Sequence, residues 1–157
     1  MIDHRAIAVD LNNAVWARLD AGDVTEASPP EEREQLLYAA YASTHHWLTV
    51  GTVANHARGE HLISRVAARI GDADRALHHA LRCLALVEAN PEDTEDWDLA
   101  FALEATARAY AAIGDHPAAT ATIARALEAT AAISDPEDRQ IVEGELQREP
   151  WFDLPRA

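Results

Sequence analysis

Apolar residues recur along the chain at spacings of three and four and rarely in strict alternation, so the pattern predicts helices rather than strands. A first helix is expected over about 3–20, with Ile7, Leu11, Ala14, Val15 and Leu19 as its apolar face and Ala21-Gly22-Asp23 as its stop. Ser28-Pro29-Pro30-Glu31 reads as the start of a second. Ser28 is placed to accept from unpaired first-turn amides, proline has no amide to leave unpaired there, and Glu31 completes a capping box. This helix carries Leu36, Leu37, Ala40, Tyr41 and Thr44 toward Trp47 and Leu48. Thr49-Val50-Gly51-Thr52 interrupts it, because glycine among β-branched residues is a poor helix interior and Thr52 is a fair N-cap.

A third helix then runs to Ile70, and a fourth from Asp72 or Ala73 to Glu88, with Ala76, Leu77, Ala80, Leu81 and Leu84 as its core stripe. Asp93 or Thr94 is the expected cap of a fifth, whose apolar face uses Trp97, Phe101, Leu103, Ala107 and Tyr110. Pro117 opens a sixth with Ile123, Ala126, Leu127 and Ala131 inward, and Asp135-Pro136 a short seventh with Ile141, Val142 and Leu146 on one side. The tail from Pro150 to Pro155 has too much proline for a helix and is too apolar to float free. It is expected to lie back over the last helix pair as a clasp; if it protrudes instead, its apolar side chains predict a homodimer.

Two stretches of this pattern can be laid over each other. Ala67-x3-Gly71-Asp72-x3-Ala76-x3-Ala80-x2-Cys83-Leu84 keeps register with Tyr110-x3-Gly114-Asp115-x3-Ala119-x3-Ile123-x2-Ala126-Leu127. Glycine allows a tight turn, aspartate caps the next helix, and a small residue lets two antiparallel helices approach. The unit resembles the tetratricopeptide repeat, most clearly over 55–89 and 95–132. The resemblance implies an all-α fold: a right-handed helical-hairpin solenoid of about seven helices, one domain over 1–157, with a capping helix and tail at 135–157. It departs from the family in period, since the copies are 43 residues apart by the positions of Gly71 and Gly114. It departs also in the aromatic-Leu-Gly start, replaced by Glu60, Ile63 and Ser64 in the first copy, and in its closing prolines, displaced to Pro91 and Pro136. Gly22-Asp23 begins a degenerate third copy that Ser28-Pro29-Pro30 disrupts. The chain as a whole is similar to small bacterial proteins of this kind, a likeness that brings a fold and no activity.

Composition narrows the partners. Twenty-seven acids against thirteen bases give a formal charge of −14, which disfavours nucleic acid and anionic lipid. Every base is arginine and none is lysine, as a GC-rich coding bias would give. A single cysteine excludes an internal disulfide, no apolar run is long enough to span a membrane, and the amino terminus lacks the order of a signal peptide. A cytoplasmic protein is the expectation. Charge is nevertheless segregated: the stretch from Glu88 to Asp98 holds six acids and no base, whereas His56 to Arg82 holds five arginines and four histidines against three acids.

In the family resembled, the first helix of each pair lines a concave groove in which peptides bind. Carried onto this chain, those places fall on Arg58, His61, Arg65 and Arg69, and then on Phe101, Glu104 and Arg108. A basic groove for an acidic peptide or protein terminus is the functional expectation, that of a non-catalytic adaptor without a cofactor, since arginine's planar fork matches a carboxylate. The competing reading is that these arginines pair with the protein's own acids, those of the Glu88–Asp98 loop among them.

The alternative function is a small-ligand or metal-binding protein, enzymatic in one version, centred on His46, Trp47, His56, Glu60 and His61. His46, His56 and Glu60 would form a two-histidine, one-carboxylate metal site. His56-x3-Glu60-His61 is one residue too long for the inverted zincin motif. Cys83 reads as a buried small residue, and Trp16, Trp47 and Trp97 as packing. No phosphate loop, nucleophile elbow or cysteine pair is present.

Overall fold

Seven α-helices and no strand make up residues 1–155, the part of the chain that the computed structural model describes. They are α1 (His4–Ala21), α2 (Pro30–Val50), α3 (Val53–Arg69), α4 (Ala73–Ala89), α5 (Asp96–Ala112), α6 (His116–Ala131) and α7 (Pro136–Gln147). None is long and apolar enough to cross a membrane, among the described residues.

Caps explain most boundaries. Asp3, Asp72, Asp115 and Asp135 each accept a first-turn amide, and Thr52 with Asn55 forms a capping box at the start of α3. Two starts differ from the expectation. Ser28 Oγ accepts from Thr25 N at 2.9 Å rather than from α2, whose N-cap is Pro29 without a side-chain bond. The preceding turn thus takes the hydroxyl, and Pro30 in the first turn reduces the number of amides to satisfy. Helix α5 begins after Glu95 rather than after Asp93 or Thr94, because Asp98 reaches back to Glu95 N at 2.9 Å while Thr94 Oγ1 donates to Asn90 O.

The two matching stretches form the same turn. Gly71 and Gly114 have φ of +85° and +83°, and the next residue's amide reaches back five positions in each case, Asp72 N to Ala67 O and Asp115 N to Tyr110 O, both at 2.9 Å. A residue with a Cβ would be strained at that φ, which is why glycine stands at both. Ala76 and Ala119, at the equivalent close-approach positions, are fully buried.

Each helix packs on the next, and α1 on α3, α3 on α5 and α5 on α7 also approach closely, whereas α2, α4 and α6 meet one another only through long side chains, Tyr41 with His79 and Arg75, and Glu88 with Arg125. The odd helices are therefore an inner layer and the even ones an outer layer. α5 lies at the centre, buried on almost every side, with Ala100, Ala102, Leu103, Ala105, Ala107, Ala109 and Ala111 enclosed. Small residues let its neighbours approach, and Gly59 does the same for α3: a Cβ there would stand 2.7 Å from Thr44 Oγ1 and Cγ2 on α2. Gly59→Ala is expected to lower the unfolding free energy by about 1–3 kcal/mol, the usual cost of overpacking, with a chemical melt as the measurement.

Several side chains expected in the core lie outside it. Leu81, Leu127 and Ile141 are 41%, 55% and 58% exposed. Each sits one position from a better-placed residue (Ala80, Ala126, Val142), so the buried stripe is rotated toward the small residues that allow close helix contact. The tail behaves as a clasp, with Trp151 and Leu154 buried and Phe152 packed on the core. It lies across the inner layer rather than over the last pair: Arg108 on α5 stacks on Trp151, and Arg69 on α3 reaches Glu149 O.

Candidate functional site

The helical stripe on α3 that presents Arg58, His61, Arg65 and Arg69 faces α5, α7 and the tail. Its inner half is a sealed ion cluster. Glu104, fully buried on α5, receives Arg108 through Nε at 2.8 Å and Nη2 at 2.6 Å, His61 Nε2 at 3.2 Å and Arg65 Nη1 at 3.3 Å. Arg65 Nη1 also bonds Glu145 on α7 at 2.5 Å, and Arg108 donates to the main-chain oxygens of Glu145, Arg148 and Pro150. Two guanidinium groups thus face two carboxylates, and the cluster's charge is balanced. Burial alone would raise the Glu104 pKa, but Arg65 and Arg108, with the His61 bond, outweigh it and hold the carboxyl far below its ordinary range. Burial and the neighbouring Arg65 pull Arg108 down to about 10, while Glu104 and Glu145 more than offset burial at Arg65.

Of the expected groove residues, Arg65, Glu104 and Arg108 are therefore closed off from solvent by α7 and the tail, and Arg69 is partly covered by Glu149. Glu145 is the partner that sequence reading missed. It lies at i, i+3 and i+4 with Val142 and Leu146, so its carboxylate falls on the core stripe of α7, a sign visible in the spacing.

The outer half of the stripe is open. Arg58 holds Asp98 through Nε at 2.9 Å and Nη2 at 2.8 Å, stacks 4.3 Å above Trp97, and keeps 38% of its side chain exposed. Its Nη1 takes no partner among the described residues. This is the pairing with the acidic loop weighed above, made by one arginine. Between α1, α3 and α5 lies a cavity of about 260 Å³, walled by Trp16, Trp97, Phe101 and His61, with Arg58 and Asp98 among its polar groups and Asn12 and Cys83 completing it. His61 stacks on Trp16 at 5.8 Å and meets Phe101 edge-on at 5.5 Å, so the imidazole is fixed from both sides. Trp16 and Trp97, read from sequence as packing, are only half-buried and form the cavity walls. Burial pushes the Cys83 thiol far up, so it is inert at neutral pH.

The proposed metal trio is not assembled. His46 Nδ1 meets His4 Nδ1 at 2.7 Å, whereas Glu60 is held by His56 Nε2 at 3.1 Å, Arg82 Nε at 3.3 Å and the His79 ring. Among the described residues no group of three or more His, Cys, Asp and Glu side chains is placed to hold a metal ion. Trp47 lies under Arg5 of α1, outside the lining of the aromatic cavity. Comparison of the chain with protein-family models, with curated proteins and with solved structures finds no match.

Proposed function

We propose that the chain is a non-catalytic adaptor of the tetratricopeptide type, a right-handed hairpin solenoid capped by α7. In this reading it captures a peptide segment or protein terminus where α1, α3 and α5 meet. The identical Gly-Asp turns and the inner-outer layering support the repeat reading. The observation that carries the binding reading is the cavity walled by Trp16, Trp97 and Phe101 with a half-exposed arginine among its lining residues. Its volume, about 260 Å³, lies just under the range of about 300–1,000 Å³ typical of small-molecule pockets and suits one or two apolar side chains. The free Nη1 of Arg58 supplies a donor for a carboxylate next to that side chain, as the basic-groove expectation requires, while Arg65 and Arg108 serve the fold.

Acetylated tetrapeptides carrying glutamate next to Phe, Leu or Ala are the probes, with tryptophan fluorescence as the signal. The Phe and Leu peptides are expected to give saturable changes that weaken with salt, and the Ala peptide none. Arg58→Gln is expected to weaken binding about tenfold. Silence from all three peptides, or an Arg58→Gln protein that binds as wild type does, overturns the reading.

A further inference from the structure

The carboxylate of Glu60 anchors a second constellation, which shares no residue with the aromatic cavity. His79 on α4 bonds Glu60 through Nδ1, and its Nε2 lies 2.6 Å from the hydroxyl of Tyr41 on α2. Arg75 Nη1 donates to the same hydroxyl at 2.8 Å, while its Nε is fixed by Asp72 at 2.8 Å. We propose that Tyr41 is an activated nucleophile, a covalent acyl-acceptor site with His79 as its general base and Arg75 as the cation that stabilises the phenolate.

The hydrogen-bond directions follow from the partners. An ionised Glu60 can only accept, so His79 Nδ1 carries a proton, and in the neutral ring that a general base requires Nε2 is left as an acceptor. Arg75 can only donate, so the Tyr41 oxygen accepts from Arg75 and must turn its own proton toward His79 Nε2. This is the order nucleophile, base, orienting carboxylate, with a cation added at the nucleophilic oxygen. His79, His56 and Arg82 keep Glu60 ionised against the burial that would raise its pKa, so its folded-state value lies below the ordinary one. Glu60 acts through His79 and is a positioning residue.

Access is present as well. Tyr41 and Arg75 line two adjoining surface depressions of about 720 and 480 Å³. Asp72 and Asp74 face both and disfavour an anionic donor, so the fitting substrate class is an uncharged activated ester. In the step, Tyr41 Oη forms a bond to the acyl carbon as its proton passes to His79 Nε2. The bond from that carbon to the leaving oxygen then breaks, the leaving group departs with the electron pair, and His79 returns the proton to solvent. The step is one stoichiometric capture.

The chain supplies its own control. It has no lysine to compete for acyl groups, and Tyr38, one turn away on α2, is 63% exposed and bonds to no base or cation among the described residues. Treated with p-nitrophenyl acetate at neutral pH and mapped by peptide mass spectrometry, the full chain is expected to become acetylated at Tyr41 about a hundredfold faster than at Tyr38, the modest end of general-base assistance. Arg75→Gln, a change at a side chain 41% exposed, and His79→Gln are each expected to bring Tyr41 down to the Tyr38 rate, with circular dichroism confirming the fold. If His79→Gln unfolds the chain, Arg75→Gln decides alone. A Tyr41 rate no higher than that of Tyr38, or one unmoved in folded Arg75→Gln protein, overturns the proposal.

Discussion

Truncation after Glu149 is expected to lower the unfolding free energy by at least about 3–5 kcal/mol, the usual cost of removing a buried tryptophan alone. Trp151 is 2% exposed, and with it go Leu154, the Phe152 packing and the Pro150 oxygen that accepts from Arg108 at 2.6 Å. The loss is therefore more than apolar area, because a buried guanidinium gives up an acceptor and the ring 4.2 Å from its carbon. At about 2–4 °C per kcal/mol for a chain of this size, the melting temperature should fall by roughly 10 °C. Thermal unfolding of the truncated and full chains on the monomer peak from a sizing column is the measurement. An unchanged monomer melt, together with loss of a dimer peak, would mean that the tail serves association and not the fold.

The second large effect is expected at Glu104. Glu104→Gln leaves Arg65 and Arg108 buried with only Glu145 to balance them, and breaking one partner of such a cluster costs about 3–5 kcal/mol. The sign of the pH dependence follows from the lowered folded-state pKa of Glu104. A depressed carboxyl contributes stability that is fully present above its unfolded value, ordinarily near 4.5, and is lost as pH falls from there toward the folded value. Wild type should thus lose stability steeply below about pH 4.5, whereas Glu104→Gln should start lower and decline less in that window. Urea melts across the acid range test both parts, and parallel pH profiles for the two proteins would refute the assignment.

How far the sequence carried these conclusions depends on the range of the interactions. Helix number and most boundaries were legible because caps and glycine turns act within a few residues: Asp72, Asp115 and Thr52 do in space what their positions suggest. Ser28 was misjudged because a hydroxyl can serve either of two neighbouring turns, and the choice depends on how the chain enters α2. The stripe of Arg58, His61, Arg65 and Arg69 was also readable as a single face. What periodicity could not show was what would cover that face, since Arg65 and Glu145 are eighty positions apart. Tyr41 and His79 likewise meet only because α2 and α4 both border α3, and no spacing encodes that pairing.

The grip of Arg108 on the end of the chain is made through the carbonyl oxygens of residues 145, 148 and 150. Every amino acid carries such an oxygen, so this recognition reads the path of the backbone and is blind to the side chains along it. The share of the latch that Arg108 contributes therefore survives substitution at Arg148 and Glu149, whereas the bonds their own side chains make, to Asp20 and to the Trp151 amide, do not. Chemical identity is demanded a few residues later, where Trp151 must present an aromatic face to the same arginine and Leu154 must fill the space beyond.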